Sequence, residues 1–269
     1  MAQYRKDTEG FLSDNKTLFE VFMQSDRHGN ILESSSSLEF ALSISRGLHD
    51  DISYSHNTGY ISSGFSNGDT IWEDGSPYPW ASLATAQTLY LKSSTNNATD
   101  RGAPVLISGL DANYEPISEA IFLDGTDSTT AVATTKQYLR ITALEMNDGI
   151  TNEGDITARV VNGSGTVVYI IPAGFGISSV GIYTVPAGYT AYLVKGSLSS
   201  TAAVTIGFYV RLYNRGFKIQ HIAVADNTQY NYDFPIPLPF PEKTDMDVRA
   251  MIGSGRCSVN WDMILVRNI

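Results

Sequence analysis

The sequence predicts a mostly β protein: an antiparallel β-sandwich or jelly-roll body preceded by an irregular, loop-rich N-terminal arm. After Pro104, short runs of β-branched and aromatic residues recur roughly every 10 to 15 residues, separated by Gly, Asn, Asp or Pro. The 269 residues are 42% hydrophobic and 11% aromatic, which is enough for a substantial core. We therefore place an N-terminal attachment or oligomerisation region at residues 1–103 and a sandwich domain at 104–269.

The first hundred residues show little sustained periodicity. Thr17 to Met23 (TLFEVFM) is typical of a strand, and the turn sequence Asp26 to Asn30 ends it. A helix is predicted around Ser36 to Leu48, and it is expected to be weak because Ser and Gly have low helix propensity. The Ser, Asn and Gly-rich stretch from Ser53 to Thr70 reads as loop. We expect this region to wrap a partner or to be ordered by one.

From Pro104 onward the pattern indicates a series of strands. In Thr205–Tyr213, Ile206, Phe208, Val210 and Leu212 fall on one face and Tyr209 and Arg211 on the other. The predicted strands are Val105–Leu110, Ser118–Leu123, Gln137–Glu145, Asp155–Val161, Thr166–Ile171, Gly176–Val185, Thr190–Ser197, Ala203–Tyr213, Phe217–Ala223, Asp247–Ile252 and Ser258–Val266.

Two short segments repeat a turn motif fourteen residues apart, Ile171-Pro-Ala-Gly-Phe175 and Val185-Pro-Ala-Gly-Tyr189. Pro restricts φ and Gly tolerates the left-handed region, so each segment predicts a corner between strands.

Proline alternates with apolar residues between Asn227 and Lys243. Because Pro lacks an amide donor, this segment is expected to be extended at a sheet edge or between subunits. A PxxP-type ligand for an SH3-like domain is the alternative. The residues expected at an inter-subunit edge are Pro235, Pro237, Pro239, Phe240 and Pro241.

Composition excludes several classes of partner. The net charge is −10 and the basic residues are scattered, which argues against nucleic-acid binding. No apolar run approaches the length of a membrane span, and the N-terminus lacks a secretory pattern, so we expect synthesis in a cytoplasm and no membrane insertion.

No catalytic arrangement, cofactor site or metal site is predicted. His28, His49, His56 and His221 lack metal-ligand spacing. There is no GxSxG motif and no phosphate-binding glycine loop, although a triad from distant residues stays open. Cys257, the single cysteine, reads as a small core residue.

Aromatic residues lie beside carboxylates in Trp72-Glu73-Asp74-Gly75, followed by Tyr78 and Trp80. This composition is typical of sugar-binding clefts, so Trp72, Tyr78 and Trp80 are candidates for glycan contact on an exposed surface. A glycosidase using Glu73 or Asp74 is the weaker alternative, because neighbouring residues on an extended backbone face opposite ways.

Oxygen ligands at alternate positions in Asp111-Ala-Asn-Tyr-Glu115 begin like a calcium loop. Pro116 and Phe122 then stand where that loop needs Gly and Glu. An Asx-type turn between two strands explains the same residues, and a calcium ion at the turn is the alternative.

One set of segments consists of Ile107-Ser-Gly-Leu-Asp-Ala-Asn-Tyr-Glu-Pro-Ile-Ser-Glu119, Leu123-Asp-Gly-Thr126, Tyr138-Leu-Arg-Ile141, Val185-Pro-Ala-Gly-Tyr-Thr-Ala-Tyr-Leu193, Pro237-Leu-Pro-Phe-Pro-Glu-Lys-Thr-Asp245 and Asp262-Met-Ile-Leu-Val266. These segments resemble a module of virion structural proteins from marine tailed phages, cyanophages included. The N-terminal Tyr4-Arg-Lys-Asp-Thr8, Lys16-Thr-Leu-Phe-Glu20 and Gly29-Asn30 are similar to N-termini in T4-like cyanophages.

The resemblance implies a non-enzymatic structural component of a virion, made in the host cytoplasm. Its partners would be other copies of itself and other virion proteins, and capsid decoration, neck, or baseplate or tail-fibre connector are the implied places. The alternative function is a receptor-binding protein that recognises host-surface glycans. The family brings no catalytic residues.

Overall fold

The computed structural model describes residues 37–147, 149–162 and 164–268. The chain divides into two compact units between Ser53 and Tyr54. In the first unit, helix α1 (Ser37–Ser45) occupies the place predicted for a weak helix. Gly47 ends it with φ +67° and donates its N–H to the carbonyl of Ile44 at 2.9 Å, as glycine does at helix C-termini. The predicted strand Thr17–Met23 lies outside the described residues.

Strands supply most of the remaining structure, and the mostly β, antiparallel prediction is confirmed. Their bounds are β1 Ile52–Ile61, β2 Gln87–Ser93, β3 Pro104–Leu110, β4 Pro116–Phe122, β5 Val132–Tyr138, β6 Arg140–Met146, β7 Ile156–Arg159, β8 Val167–Ile171, β9 Ile182–Thr184, β10 Tyr189–Ser200, β11 Ala203–Arg211, β12 Lys218–Asp226, β13 Gln229–Phe240, β14 Asp245–Gly253 and β15 Cys257–Arg267, with a 3₁₀ helix at Trp80–Leu83.

Eight of these strands form a jelly roll. One sheet has the order β1-β15-β10-β13 and the other β12-β11-β14-β9. Residues 201–202, 227–228 and 254–256 each carry the chain from one sheet to the other. Two four-stranded antiparallel sheets joined by such crossings make the eight-stranded jelly-roll arrangement. Its core packs Val204, Met246, Trp261 and Met263 between the sheets.

The other seven strands lie in sequence between β1 and β9, so they are an insertion into the jelly roll. They form the sheets β5-β2-β7-β8 and β4-β3-β6. A second core fills this inserted sandwich, with Leu89, Ile107, Leu144 and Ile171 fully buried. Strands β2 to β8 thus form a small sandwich of their own. Phe65 and Ile71, which precede these strands, pack in the jelly-roll core, and β9 resumes the jelly roll.

The sequence pattern becomes strand-rich at Pro104, but the chain does not divide into compact units there. β1 and β2 precede Pro104, yet β1 pairs with β15 and β2 pairs with β5 and β7. The unit that begins at Tyr54 therefore includes half of the region placed in the N-terminal arm. Long-range strand pairing joins these parts, and local sequence does not signal it.

Most predicted strands are present, with three differences. The run Gln137–Glu145 is divided at Leu139 between β5 and β6, and only Ile182–Thr184 of Gly176–Val185 is strand. The loop predicted for residues 53–70 is wrong over β1. There, Thr58 donates its hydroxyl to the side chain of Asn260 on β15 at 2.7 Å, so cross-strand pairing outweighs a poor strand propensity.

Both repeated turn motifs are corners, as predicted. The N–H groups of Phe175 and Tyr189 donate to the carbonyls of Pro172 and Pro186, at 3.1 and 3.4 Å. The glycine in each turn has positive φ, +80° and +74°. No helix among the described residues has the length and apolar character needed to cross a membrane.

Candidate functional site

Two aspartates on β14 are buried where the inserted sandwich meets the jelly roll. Asp245 receives a two-pronged contact from Arg140 of β6, with Nε–Oδ1 at 2.8 Å and Nη2–Oδ2 at 3.2 Å. Arg211 of β11 donates to Oδ2 at 2.7 Å, and Thr184 donates to Oδ1 at 2.6 Å. A buried carboxylate needs this many donors to offset its lost hydration.

The second aspartate, Asp247, is fully buried and equally well satisfied. Thr70 donates its hydroxyl to Oδ1 at 2.8 Å. Trp80 donates its indole N–H to Oδ2 at 2.7 Å, and Arg249 donates to the same oxygen at 2.9 Å. The 3₁₀ helix that carries Trp80 is thereby fixed against the jelly roll.

Cations and aromatic rings alternate across this junction in a continuous series, which we call the cation–aromatic ladder. Each cation in it lies within 6 Å of the centroids of two rings, the range of favourable cation–π contact. In spatial order the ladder is Tyr209, Arg249, Phe217, Arg211, Trp80, Arg140, Tyr114, Lys243 and Tyr213.

Every ladder member except Tyr209 lines a surface cleft of about 500 Å³, which we call the ladder cleft. Arg140 at its floor is buried, while Tyr213 at its mouth is 52% exposed and Arg215 is exposed. The lining residues are Trp80, Ala81, Ala84, Tyr114, Arg140, Arg211, Leu212, Tyr213, Asn214, Arg215, Phe217, Lys243, Asp245 and Arg249.

Electrostatics keep the floor of the ladder cleft charged. Burial alone would lower the pKa of Arg140, but its hydrogen bonds and attraction to Asp245 outweigh burial and raise it. Burial raises the pKa of Tyr114, so its phenol stays neutral. Arg140 therefore stays positively charged and Tyr114 stays neutral throughout the physiological range of pH.

The three aromatic residues predicted to contact glycan do not form an exposed platform. Trp72, Tyr78 and Trp80 are 0%, 4% and 9% exposed, and the ring of Tyr78 lies between the other two at 5.5 and 4.7 Å. The expectation that they are exposed is wrong, because their rings fill the core of the inserted sandwich. Trp80 alone also lines the ladder cleft.

Glu73 and Asp74 have separate partners. Ser62 donates to Glu73 at 2.8 Å, and Ser76 donates to Asp74 at 2.6 Å. Both line a polar cleft of about 400 Å³ that also contains Lys92 and Arg159.

The proline-alternating segment is β13, the last strand of its sheet, so the predicted edge position is confirmed. Pro235, Pro237, Pro239 and Pro241 are exposed. Phe240 is the exception, at 3% exposure, because its ring packs 6.2 Å from that of Phe208 inside the jelly roll. Phe240 therefore belongs to the edge strand and packs its ring on the sandwich.

Two other sequence interpretations are confirmed. Asp111 accepts the backbone N–H groups of Asn113 and Glu115 at 2.7 and 3.0 Å, which is an Asx-type turn between β3 and β4. Cys257 is 1% exposed, and burial raises the pKa of its thiol to about 12. Among the described residues there is no group of three His, Cys, Asp or Glu side chains that could hold a metal ion.

Sequence reasoning missed the ladder, because its members are spread along the sequence from Trp80 to Arg249. A local signal exists in Tyr138-Leu-Arg-Ile141 and Thr244-Asp-Met-Asp247, where charges interrupt otherwise buried strands. Lone charges of opposite sign in two apolar strands indicate a buried ion pair.

Comparisons with known proteins add no family. No protein-family model matches the sequence, and no curated protein matches it. The chain overlaps in part with a solved structure described as a Bacillus thuringiensis Cry1Da tryptic core variant, at 9% identity and a TM-score of 0.16. The overlap covers 79% of this chain and 58% of that one. So low a TM-score carries no argument about fold or function.

Proposed function

We propose that the chain is a non-enzymatic structural component of a tailed-phage virion that assembles as a symmetric homo-oligomer and attaches through its N-terminal region. The observation that carries the proposal is an exposed apolar surface on the two neighbouring edge strands of the jelly roll, β12 and β13. We call it the edge rim and define it by Ile219, Ile222 and Val224 of β12 and Tyr232 and Ile236 of β13.

The edge rim carries several strongly exposed apolar side chains. Ile236 is 82% exposed and Val224 is 62% exposed. The ring of His221 lies 5.1 Å from that of Tyr232 and 5.8 Å from that of Phe234. Exposed apolar side chains on unpaired strand edges are typical of protein–protein contact sites.

A bulge in β13 makes Ile236 protrude. Leu193 pairs with Leu238 while Lys195 pairs with Asp233, so the four residues 234–237 lie opposite Val194 alone. Pro235 and Pro237 remove backbone donors within this bulge. A partner would therefore meet the rim through packed side chains, because the prolines block addition of a strand.

The architecture is compatible with this role. Jelly rolls recur in viral capsid and lectin domains. Fold alone does not determine function, so the proposal depends on the edge rim and on the sequence resemblance to phage virion proteins.

Quantitative mass spectrometry of purified phage particles tests the proposal. We expect peptides of this chain at a fixed copy number per particle. That number should be a whole multiple of the number of subunits in the oligomer that the chain forms in solution. Host cytoplasmic proteins should decrease during purification, while this chain should not. Loss of the chain from particles at the same rate as those host proteins would contradict the proposal.

A second candidate function is a receptor-binding protein that recognises host-surface glycans. The ladder cleft favours it, since aromatic rings and a few fixed polar groups in a concave site are typical of small-ligand recognition. Trp72 and Tyr78 do not contribute to this version of the candidate, because both are buried.

A further inference from the structure

We infer that the ladder cleft binds an acidic saccharide, a sugar ring that carries a carboxylate. This inference deepens the second candidate function and rests on it. It is independent of assembly through the edge rim, because the ladder cleft and the rim share no residue.

The cleft holds a local excess of positive charge. Five cationic side chains line it. Two carboxylates are paired with them, Asp245 at the wall of the cleft and Asp247 behind it. The cleft therefore has a local charge of +3, in a chain of net charge −10. Arg140 is committed to Asp245. Lys243 and Arg215 have no ion pair within the part of the chain that the structure describes. Two cations are thus left to receive an anion.

Exposed aromatic surface lies beside the uncommitted ammonium group. Lys243 Nζ is 5.7 Å from the ring centroid of Tyr114 and 5.4 Å from that of Tyr213. The two rings meet edge to face at 5.9 Å, and Tyr213 is half exposed. The apolar face of a sugar ring can pack on such a surface while its carboxylate receives a charged hydrogen bond from the ammonium group.

Backbone hydrogen bonds fix the chain at Tyr213 and Lys243 before any ligand arrives. The N–H of Arg215 donates to the carbonyl of Leu212 at 2.9 Å in a turn where Asn214 has φ +57°, and this turn carries Tyr213. Lys243 itself has φ +60°, and its N–H donates to the carbonyl of Val185 at 2.8 Å. Pre-ordered groups lose little conformational entropy on binding.

Size and surrounding charge narrow the ligand class. A cleft of about 500 Å³ lies in the ~300–1,000 Å³ range of small-molecule sites. A long polyanion such as nucleic acid would extend beyond the cleft and be repelled by a chain of net charge −10. A bare sulfate or phosphate would leave the rings uncovered. An acidic sugar uses both the charge and the rings.

The ladder also stabilises the junction of the two sandwiches, and that role needs no ligand. Lys243 and Tyr213 separate the two roles. They lie at the open end of the ladder and make no contact with Asp245 or Asp247 in the described hydrogen bonds and ion pairs. Their replacement should therefore leave the junction intact.

Isothermal titration calorimetry of the full chain with trigalacturonate as the probe tests the inference. Maltotriose is the neutral probe and sodium sulfate is the bare anion. The variants are Lys243→Gln and Tyr213→Ala, and the matched control is Lys195→Gln, which removes an exposed lysine that does not line the cleft. Thermal melts of all variants establish that each one folds.

We expect saturable binding of trigalacturonate that weakens with added salt. Maltotriose and sulfate should bind at least about tenfold more weakly, and Lys243→Gln should lose at least about tenfold, as for one charged hydrogen bond. Lys195→Gln should bind as the unmodified chain does. Three results would each overturn the inference: no saturable binding, a sulfate affinity equal to that of trigalacturonate, or equal losses of affinity in the two lysine variants. None of these results bears on assembly.

Discussion

Arg140 of the inserted sandwich and Asp245 of the jelly roll form a buried ion pair, with 2.8 Å between Nε and Oδ1 and side-chain exposures of 6% and 5%. The pair connects two hydrophobic cores; among the described strands, β9 alone contributes to both, through Ile182 and Tyr183. Arg211 of β11 shares the same carboxylate. One charged centre therefore joins the inserted sandwich to strands β11 and β14 of the jelly roll.

Replacing Arg140 with Met should destabilise the protein strongly. Met retains much of the side-chain volume, but it leaves Asp245 buried with one guanidinium partner in place of two. Loss of one member of a buried ion pair typically costs about 3–5 kcal/mol. We expect a loss of about 3 kcal/mol in the free energy of unfolding, since Arg211 remains, measured by urea denaturation at pH 7.

The matched control is Arg101→Met, which removes an exposed arginine bonded to Asn96. It should change the free energy of unfolding by less than about 0.5 kcal/mol. An Arg140→Met variant as stable as this control would show that the pair does not hold the two sandwiches together.

Gly59 on β1 offers a separate test of the jelly-roll packing. A Cβ atom there would lie 2.7 Å from both Gly181 Cα and the carbonyl oxygen of Ile71, which are backbone atoms. Gly59→Ala should therefore destabilise the protein by about 1–3 kcal/mol through overpacking. Gly196 on β10 has open space around it, so Gly196→Ala is the control and should be neutral or slightly stabilising. Equal urea midpoints for the two variants would contradict the close approach of β1 to Gly181.

Much of the jelly roll could be predicted from sequence, because β10, β11, β14 and β15 alternate apolar and polar residues over long runs. Strand β1 could not be predicted from sequence, since Ile52–Ile61 (ISYSHNTGYI) is polar and contains Gly. It is a strand because β15 pairs with it: Asp262 accepts hydrogen bonds from Tyr54 at 2.7 Å and His56 at 2.6 Å. Partners 200 residues apart leave no local pattern.

The candidate site was predicted less well than the fold. The aromatic residues near Glu73 were noticed for their composition, but burial depends on the tertiary core around Trp72 and Trp80, which neighbouring sequence does not show. The prediction that Tyr209 and Arg211 share the face opposite Ile206 is consistent with their place in the cation–aromatic ladder.

Asp100 should make stability depend on acidity. Burial alone would raise the pKa of this carboxyl, but hydrogen bonds from Ser93, Asn97 and the backbone N–H groups of Glu153 and Gly154 lower it below its ordinary value of 3.8. A lowered folded-state pKa contributes stability that is fully present well above the unfolded pKa. That contribution is lost as pH falls through about 4 toward the folded pKa.

The variant Asp100→Asn should therefore be less stable than the unmodified chain at pH 7, by about 1–3 kcal/mol for disrupted buried hydrogen bonds. The difference should shrink as pH is lowered from 5 to 2, because protonation weakens the same interactions in the unmodified chain. Urea denaturation across this range provides the measurement. A difference that stays constant with pH would show that the Asp100 charge is not what stabilises this site.

Self-association through the edge rim is the central claim, and sedimentation velocity of the purified chain tests it most directly. The double variant Val224→Lys, Ile236→Lys places two charges on the rim. The matched control is Val161→Lys, because Val161 is 55% exposed on the inserted sandwich, away from the rim. We predict one discrete oligomer for the unmodified chain and for the control, and a 29.3 kDa monomer for the rim variant. A monomeric unmodified chain, or an oligomer that persists in the rim variant, would contradict the claim.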